Sequence, residues 1–276
     1  MKQILICTDL DRTLLPNGVQ PESAQARPLF KRLVSEPFIT LAYVSGRDIN
    51  LLEQAIDDYN LPIPDYLVGD VGTTIFHNDH RNWHASSEWQ NIIQKEWQGI
   101  TVEDLAASLD DFEELELQGP EKQNRFKLSF YTDPNIDISK LQEKVMARLA
   151  IYQIRFKLVY SIDELKQVGL FDILPETASK LQAVNYLIKK TGTQPDRTIY
   201  AGDSGNDLEV LTSSLKAILV ANATDEVRTL ASSGSPTNSL YLARGNFMKM
   251  NGNYGSGILE GMMHYLPELV SYIKYD

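Results

Sequence analysis

The chain has 276 residues, 43% of them hydrophobic, and a net charge of −11. That is enough apolar material for one large core or two modest ones, and it argues against wholesale disorder. With this acidity and no Lys/Arg-rich run, nucleic acid and anionic membranes are excluded as partners, so a doubly charged substrate must be held by a few local cations.

The first predicted element is a short buried strand, Ile4 to Cys7. Cys7 is the chain's one cysteine and reads as a small buried hydrophobe without a disulfide partner. The chain enters this strand at once, without a signal-peptide pattern, and no apolar run approaches the length of a bilayer. A cytoplasmic protein and a monomer are expected. A helix follows over residues 24–34, with Ala26, Leu29, Phe30 and Leu33 on one face. Ile39 to Val44 is a second apolar run. Asp48 to Asp58 has helical spacing through Leu51, Leu52, Ala55 and Ile56, and Tyr66 to Val68 is another strand. The alternation predicts a doubly wound α/β fold with a parallel sheet.

Near Phe76 the character changes. Residues 77–97 are polar but hold all three tryptophans, Trp83, Trp89 and Trp97, which read as core and hinge packing before sugar stacking. His77, His80 and His84 fit no zinc spacing and read as surface residues. After an acidic stretch and a Gly119-Pro120 break, Phe126 to Tyr131 alternates like a half-exposed strand, with Lys127 and Ser129 on the polar face. Ile138 to Leu149 is helical and Ile154 to Val159 strand-like. Residues 80–168 are expected to form a smaller α+β module inserted into a core made of residues 1–79 and 169–276. The core pattern resumes with a strand at Leu170 to Leu174, a helix at Ala178 to Lys189, a strand at Thr198 to Ala201, and a last apolar run at Lys216 to Val220. Ser232 to Ser239 reads as a loop.

Four stations sit at strand ends, where doubly wound sheets gather their ligands. The first is Asp9-Leu10-Asp11-Arg12-Thr13. One of its carboxylates can attack while the other moves a proton, and the pair can share a divalent cation. The second is Ser45-Gly46-Arg47, whose hydroxyl and backbone amide suit phosphate oxygens. Lys180, near a helix start, supplies a point charge for a phosphate. The fourth is Gly202 to Asp207, where Asp203 and Asp207 suit Mg2+ and the glycines let the backbone turn tightly. Singly, each is as easily a turn or a solvated charge. Their order and placement together point to phosphoryl transfer with an aspartate nucleophile.

The same motifs resemble the haloacid dehalogenase superfamily of phosphatases, in the branch with a large α/β cap, and more narrowly the sucrose-phosphatase family. Further matches are Tyr43 to Arg47, Asp65-Tyr66-Leu67 leading to Val71-Gly72-Thr73, Phe126 to Phe130, Asp172-Ile173-Leu174-Pro175, and Val220 to Ala223. The resemblance implies that Asp9 attacks phosphorus and that Asp11 serves as acid and then base. It implies Mg2+ held by Asp9, the Asp11 carbonyl, Asp203 and Asp207, and phosphate held by Ser45, Gly46, Lys180 and Asn206. Thr13 would shape the turn, and Arg12 receives no role. Lys127, with Gln123 and Asn124 before it, is the candidate for sugar contacts in the cap. The expected substrate is sucrose 6-phosphate. The alternatives are mannosylfructose phosphate or another glycosyl phosphate, a phosphomutase, or a subunit docking on a glycosyltransferase. The segment 238–254 departs from the family pattern and is a candidate contact surface or extra loop near the site. Gly255 to His264 resembles the family's last helix.

Overall fold

The computed structural model describes residues 2–163 and 166–273. Its larger sheet has eight strands. In spatial order they are Leu240–Leu242, Lys216–Leu219, Thr198–Gly202, Ile4–Thr8, Ile39–Val44, Tyr66–Gly69, Thr74–Asp79 and Asn82–Ala85. The first six run parallel, and the last two add an antiparallel hairpin at one edge. The chain leaves the central strand Ile4–Thr8 towards one side and later returns to pair with it from the other. The strand order therefore reverses there, and a crevice opens at the carboxyl ends.

The residues of the central strand show why it is buried on both faces. Leu5 and Cys7 join one apolar cluster, while Ile4 and Ile6 join another with Phe30, Ile258 and Met262. The helices are set by local chemistry. Asp48 accepts a hydrogen bond from the Leu51 amide and caps Ile49–Asp58. Ser179 accepts one from the Gln182 amide and caps Lys180–Thr191, which stops at Gly192 with φ +68. Among the described residues no helix is long and apolar enough to cross a membrane.

A second sheet of four strands, in the order Glu116–Leu117, Leu128–Thr132, Val168–Pro175 and Phe156–Asp163, is antiparallel throughout. Helices Ser87–Trp97, Val102–Ala107 and Ile138–Leu149 accompany it. This is the inserted α+β module, but its edges differ from the expected ones. Residues 82–85 extend the larger sheet, and position 80 lies in the hairpin turn, where His80 and Arg81 have φ of 50 and 68. Leu170 to Leu174 does not resume the core. It is the middle of Val168–Pro175, in the smaller sheet, and its apolar run reflects burial between two neighbouring strands there.

Other corrections are local. Residues 87–97, read only as polar, form a helix. Ser86 caps it, and it buries Trp89, Ile93 and Trp97. The region 232–239 is not wholly loop, because helix Asp225–Gly234 runs into it. The last apolar run, Lys216 to Val220, is followed by one more strand, Leu240–Leu242, which pairs beyond it. The strand around Phe126 is not half-exposed. Lys127, Leu128, Ser129 and Phe130 are all buried, because its polar face lies against the core.

Candidate active site

Strand Ile4–Thr8 delivers Asp9 to the crevice, where the Leu10 amide donates to its carboxylate at 2.8 Å. Strand Thr198–Gly202 delivers Asp203 beside it, and the turn that follows brings back Asp207. Gly202 is required here for close approach. A Cβ at that position would lie 2.5 Å from the Asp207 carboxyl carbon. Asp9, Asp203 and Asp207 are buried, with one carboxylate oxygen of each within 4.8 Å of the others.

One buried ammonium enters this group. Lys180 is 1% exposed. Its Nζ lies 2.8 Å from Asp207 and 3.3 Å from Asp9, and it donates to Asn206 Oδ1 at 2.6 Å. Burial opposes its charge, but Asp207 and Asp9 more than offset that and hold it above the ordinary lysine range. The carboxylates carry the opposite strain. Burial raises Asp9 well above its usual value, and Lys180 relieves it only in part. Burial and the neighbouring Asp207 push Asp203 up to about 7.

The three acids differ in what they have left to offer. Asp207 takes hydrogen bonds from Lys180 and from Tyr200 at 2.5 Å on one oxygen, and from the Asp203 and Ser204 amides on the other. Asp203 accepts from Thr13 Oγ1 at 2.9 Å, with Arg12 Nε 3.6 Å from its other oxygen. Three buried carboxylates against Lys180 and the flanking Arg12 leave excess negative charge on hard oxygen donors. That donor set fits a divalent cation such as Mg2+.

Asp11 stands apart from the cluster. Arg47 grips it with two hydrogen bonds of 2.7 and 2.6 Å, and Asn17 adds a third at 2.6 Å. Burial pushes the carboxyl up, but the Arg47 fork and Asn17 outweigh it and hold Asp11 below the usual carboxylate range. Ser45 is buried at the end of strand Ile39–Val44, its hydroxyl accepting from the Arg47 amide at 3.3 Å, and Gly46 follows it.

The inserted module meets the core over a strained core loop. Asp70, Val71 and Gly72 have φ of 51, 59 and 101. Two consecutive non-glycine residues in the left-handed region, one of them β-branched, are held by the Asp70 amide donating to Arg47 O and the Val71 amide to Ser45 O. Lys127 Nζ lies 3.7 Å from Asp70. Asp172, on the adjacent strand, accepts from Ser129 at 2.5 Å, and its carboxyl is raised by burial against the pull of Lys127 and Ser129. Asn124 bridges to the core, donating to Thr73 Oγ1 at 2.9 Å. Gln123 does not face the crevice chemistry. Its amide is spent on the backbone of Gln118 and Ser129.

The structure thus gathers Asp9, Asp203, Asp207, Lys180 and Asn206 in one cluster, with Asp11, Ser45 and Gly46 around the neighbouring Arg47 loop. Lys127 comes in from the cap. The sequence reading had missed Arg47 as the partner of Asp11, and Asp70 and Asp172 as the acids around Lys127. It had no role for Arg12, which lies against Asp203. Val220 to Ala223 supplies Asn222, which donates to Arg12 O and accepts from the Tyr254 amide. The 238–254 segment is held by the buried Glu260, which accepts from Tyr241 and from the amides of Arg244 and Gly245. It reaches the turn after Asp11 through Asn251 and Asn253, both donating to Pro21 O. Trp89 and Trp97 are buried in the cap and hinge, while His77, His80 and His84 lie on the outer hairpin.

The sequence profile of the sucrose-6F-phosphate phosphohydrolases matches residues 2–266. The chain belongs to this family. Its fold is that of haloacid dehalogenase-like hydrolases. Among relatives of the family, a protein of Nitrosococcus oceani described as a HAD-like hydrolase is 49% identical over 99% of this chain and 75% of its own length. Sucrose-phosphatase 1 of Nicotiana tabacum is 29% identical over 82% of this chain, which spans only 52% of the tobacco protein. The crystal structure of the sucrose-phosphatase of Synechocystis, in complex with sucrose and phosphate, superposes with a TM-score of 0.78 at 25% identity. That match covers 96% of this chain and 98% of the Synechocystis one. The family is one of phosphoric monoester hydrolases.

Proposed function

We propose that this protein is a phosphatase for a sugar phosphate, sucrose 6-phosphate first among the candidates. The observation that carries the reading is the convergence of Asp9, Asp203 and Asp207 on the buried Lys180 at the carboxyl ends of the sheet, beneath a module that presents Lys127. Family membership and the Synechocystis match support the sugar.

In this reading an oxygen of Asp9 attacks phosphorus, and the bond from phosphorus to the sugar oxygen breaks. Asp11 gives its proton to the departing oxygen, and an aspartyl phosphate remains. Asp11 then takes a proton from water, whose oxygen attacks phosphorus. The acyl phosphate opens to inorganic phosphate and the Asp9 carboxylate. Lys180, Ser45, Gly46 and Asn206 hold the phosphate oxygens and stabilise charge as it spreads over them. Asp9, Asp203 and the Asp11 carbonyl would hold Mg2+, with Asp207 alongside, and the ion supplies charge neutralisation when bound.

Asp11 poses one requirement. The Arg47 fork favours its carboxylate form, which cannot donate a proton. The incoming phosphate must draw Arg47 away, so that Arg47 exchanges one anion for another as the substrate seats. The cap supplies discrimination, with Lys127 as the donor to sugar hydroxyls and Asp70 and Asp172 as acceptors beside it.

The test is phosphate release from a set of sugar phosphates that includes sucrose 6-phosphate and mannosylfructose phosphate. Sucrose 6-phosphate is expected to give the highest kcat/KM, with turnover lost in Asp9→Asn and in excess chelator. A clear preference for monosaccharide phosphates would remove the disaccharide assignment. Undiminished turnover in Asp9→Asn would remove the mechanism.

A further inference from the structure

Arg12 stands between Asp11 and Thr13 with φ of 58. A residue with a Cβ is disfavoured in the left-handed region, so its surroundings must hold it there. Two asparagines do so, one at each of its backbone polar groups. The Arg12 amide donates to Asn17 Oδ1 at 2.8 Å, and Asn222 Nδ2 donates to the Arg12 carbonyl at 2.6 Å. Asn222 is 4% exposed, so its bonds are made away from water.

The far ends of the two amides lead in different directions. Asn17 Nδ2 donates to Asp11 Oδ1 at 2.6 Å. Asn222 Oδ1 accepts from the Tyr254 amide at 2.8 Å. Tyr254 is buried and is itself strained, with φ 51 and ψ −135, at the end of the 238–254 segment. Its hydroxyl donates to Gln20 O at 3.1 Å, in the same loop as Asn17. One buried side chain, Asn222, therefore ties two strained residues together. Pinning Arg12 at both ends fixes three groups around Asp203. In a trans peptide the carbonyl points away from the N–H of the same plane. With the Arg12 N–H on Asn17, the Asp11 carbonyl is left with one direction. The Arg12 side chain sets its Nε 3.6 Å from Asp203, and Thr13 donates its hydroxyl to Asp203 at 2.9 Å.

We propose that Asn17 and Asn222 are positioning residues that clamp the Asp11–Thr13 turn for the divalent cation, and that the 238–254 segment acts on the site through Asn222. Loss of the Asn222 amide frees Arg12 to leave the left-handed region, which turns the Asp11 carbonyl and draws the guanidinium and the Thr13 hydroxyl off Asp203. The inference rests on the reading in which Asp9, Asp203 and the Asp11 carbonyl hold Mg2+. Groups that orient metal ligands from outside set affinity by about 10–100-fold.

The test titrates MgCl2 into the full chain by isothermal calorimetry, without substrate, and follows turnover of the sugar phosphate against MgCl2. Asn222→Ala is expected to raise the Mg2+ Kd about tenfold. Its turnover falls at limiting Mg2+, and excess MgCl2 restores it to within about twofold of the wild type with KM for the sugar phosphate unmoved. A merely structural loss would lower turnover at every Mg2+ concentration. Asn17→Ala, in a half-buried loop, releases the other end of Arg12 and is expected to raise the Mg2+ Kd by a similar factor. It carries the test alone if Asn222→Ala does not fold. A Kd within about twofold of the wild type in either folded variant overturns the clamp. Turnover of Asn222→Ala that excess MgCl2 leaves depressed overturns it as well. A wild type that hydrolyses no sugar phosphate, with the tenfold loss of Mg2+ affinity present in the variants, upholds the clamp and refutes only the phosphatase reading.

Discussion

Replacing Lys180 with methionine keeps most of the side-chain volume but deletes the ammonium that sits 2.8 Å from Asp207 and 3.3 Å from Asp9. At an effective dielectric of about 20, each contact is worth roughly 5–6 kcal/mol of attraction before the cost of burying the ammonium is subtracted. Removing one partner of such a buried group costs about 3–5 kcal/mol net. The loss must depend on pH. The folded-state pKa of Asp203 is raised to about 7, and that of Asp9 is raised as well. A carboxyl with a raised folded pKa contributes stability that is fully present below its unfolded value and is lost as pH rises through the folded one. Metal-free wild-type protein should therefore lose stability between about pH 4 and pH 7. In Lys180→Met the loss at pH 8 in chelator should be about 4 kcal/mol, or roughly 10 °C in Tm. At pH 5, as Asp203 and Asp9 take up protons, it should shrink to about 1–2 kcal/mol. Urea unfolding followed by circular dichroism at the two pH values measures this. An equal loss at both, or less than about 1 kcal/mol at pH 8, would refute the charge argument.

Two further substitutions probe the loops around the cluster. Gly72→Ala places a Cβ 2.4 Å from the Ser179 carbonyl carbon at φ +101, so the cap of the Lys180 helix must shift. It should cost at least about 3 kcal/mol in unfolding experiments and about 100-fold in kcat, and a fully active, fully stable variant would contradict the tight fit. Arg47→Met removes the fork that holds Asp11 down. The pKa of Asp11 in the free enzyme rises, so the alkaline limb of the kcat/KM profile should move to higher pH. A limb that stays in place would separate Asp11 from the proton transfer.

The candidate stations were legible because each is a short run of residues at the end of an apolar strand, and the switch in strand order brings such ends together. Long-range pairing left no trace of that kind. Nothing in Ser45-Gly46-Arg47 names Asp11 as the partner of Arg47, although phosphate and carboxylate ask the same fork of a guanidinium. The borders of the insertion were misplaced for two reasons. Thr74–Asp79 and Asn82–Ala85 form an edge hairpin with little buried surface, so they read as polar. Val168–Pro175 is apolar apart from Asp172, and composition cannot say which of two sheets receives it. Lys127 misled in a third way. Alternation normally marks a solvated face, but between two modules the polar face is covered by polar residues of the other, here Asp70.

The exit from the smaller sheet is short. Four residues, 176–179, join Pro175 to Lys180, and the Ala178 amide donates to Pro175 O within them. The buried Glu96 pins this link further, accepting from the Thr177 amide at 2.7 Å and from its hydroxyl at 2.6 Å. The module is thus joined within four residues to the lysine buried between Asp9 and Asp207. Any change in how the module sits at this link is passed directly to the helix that carries Lys180.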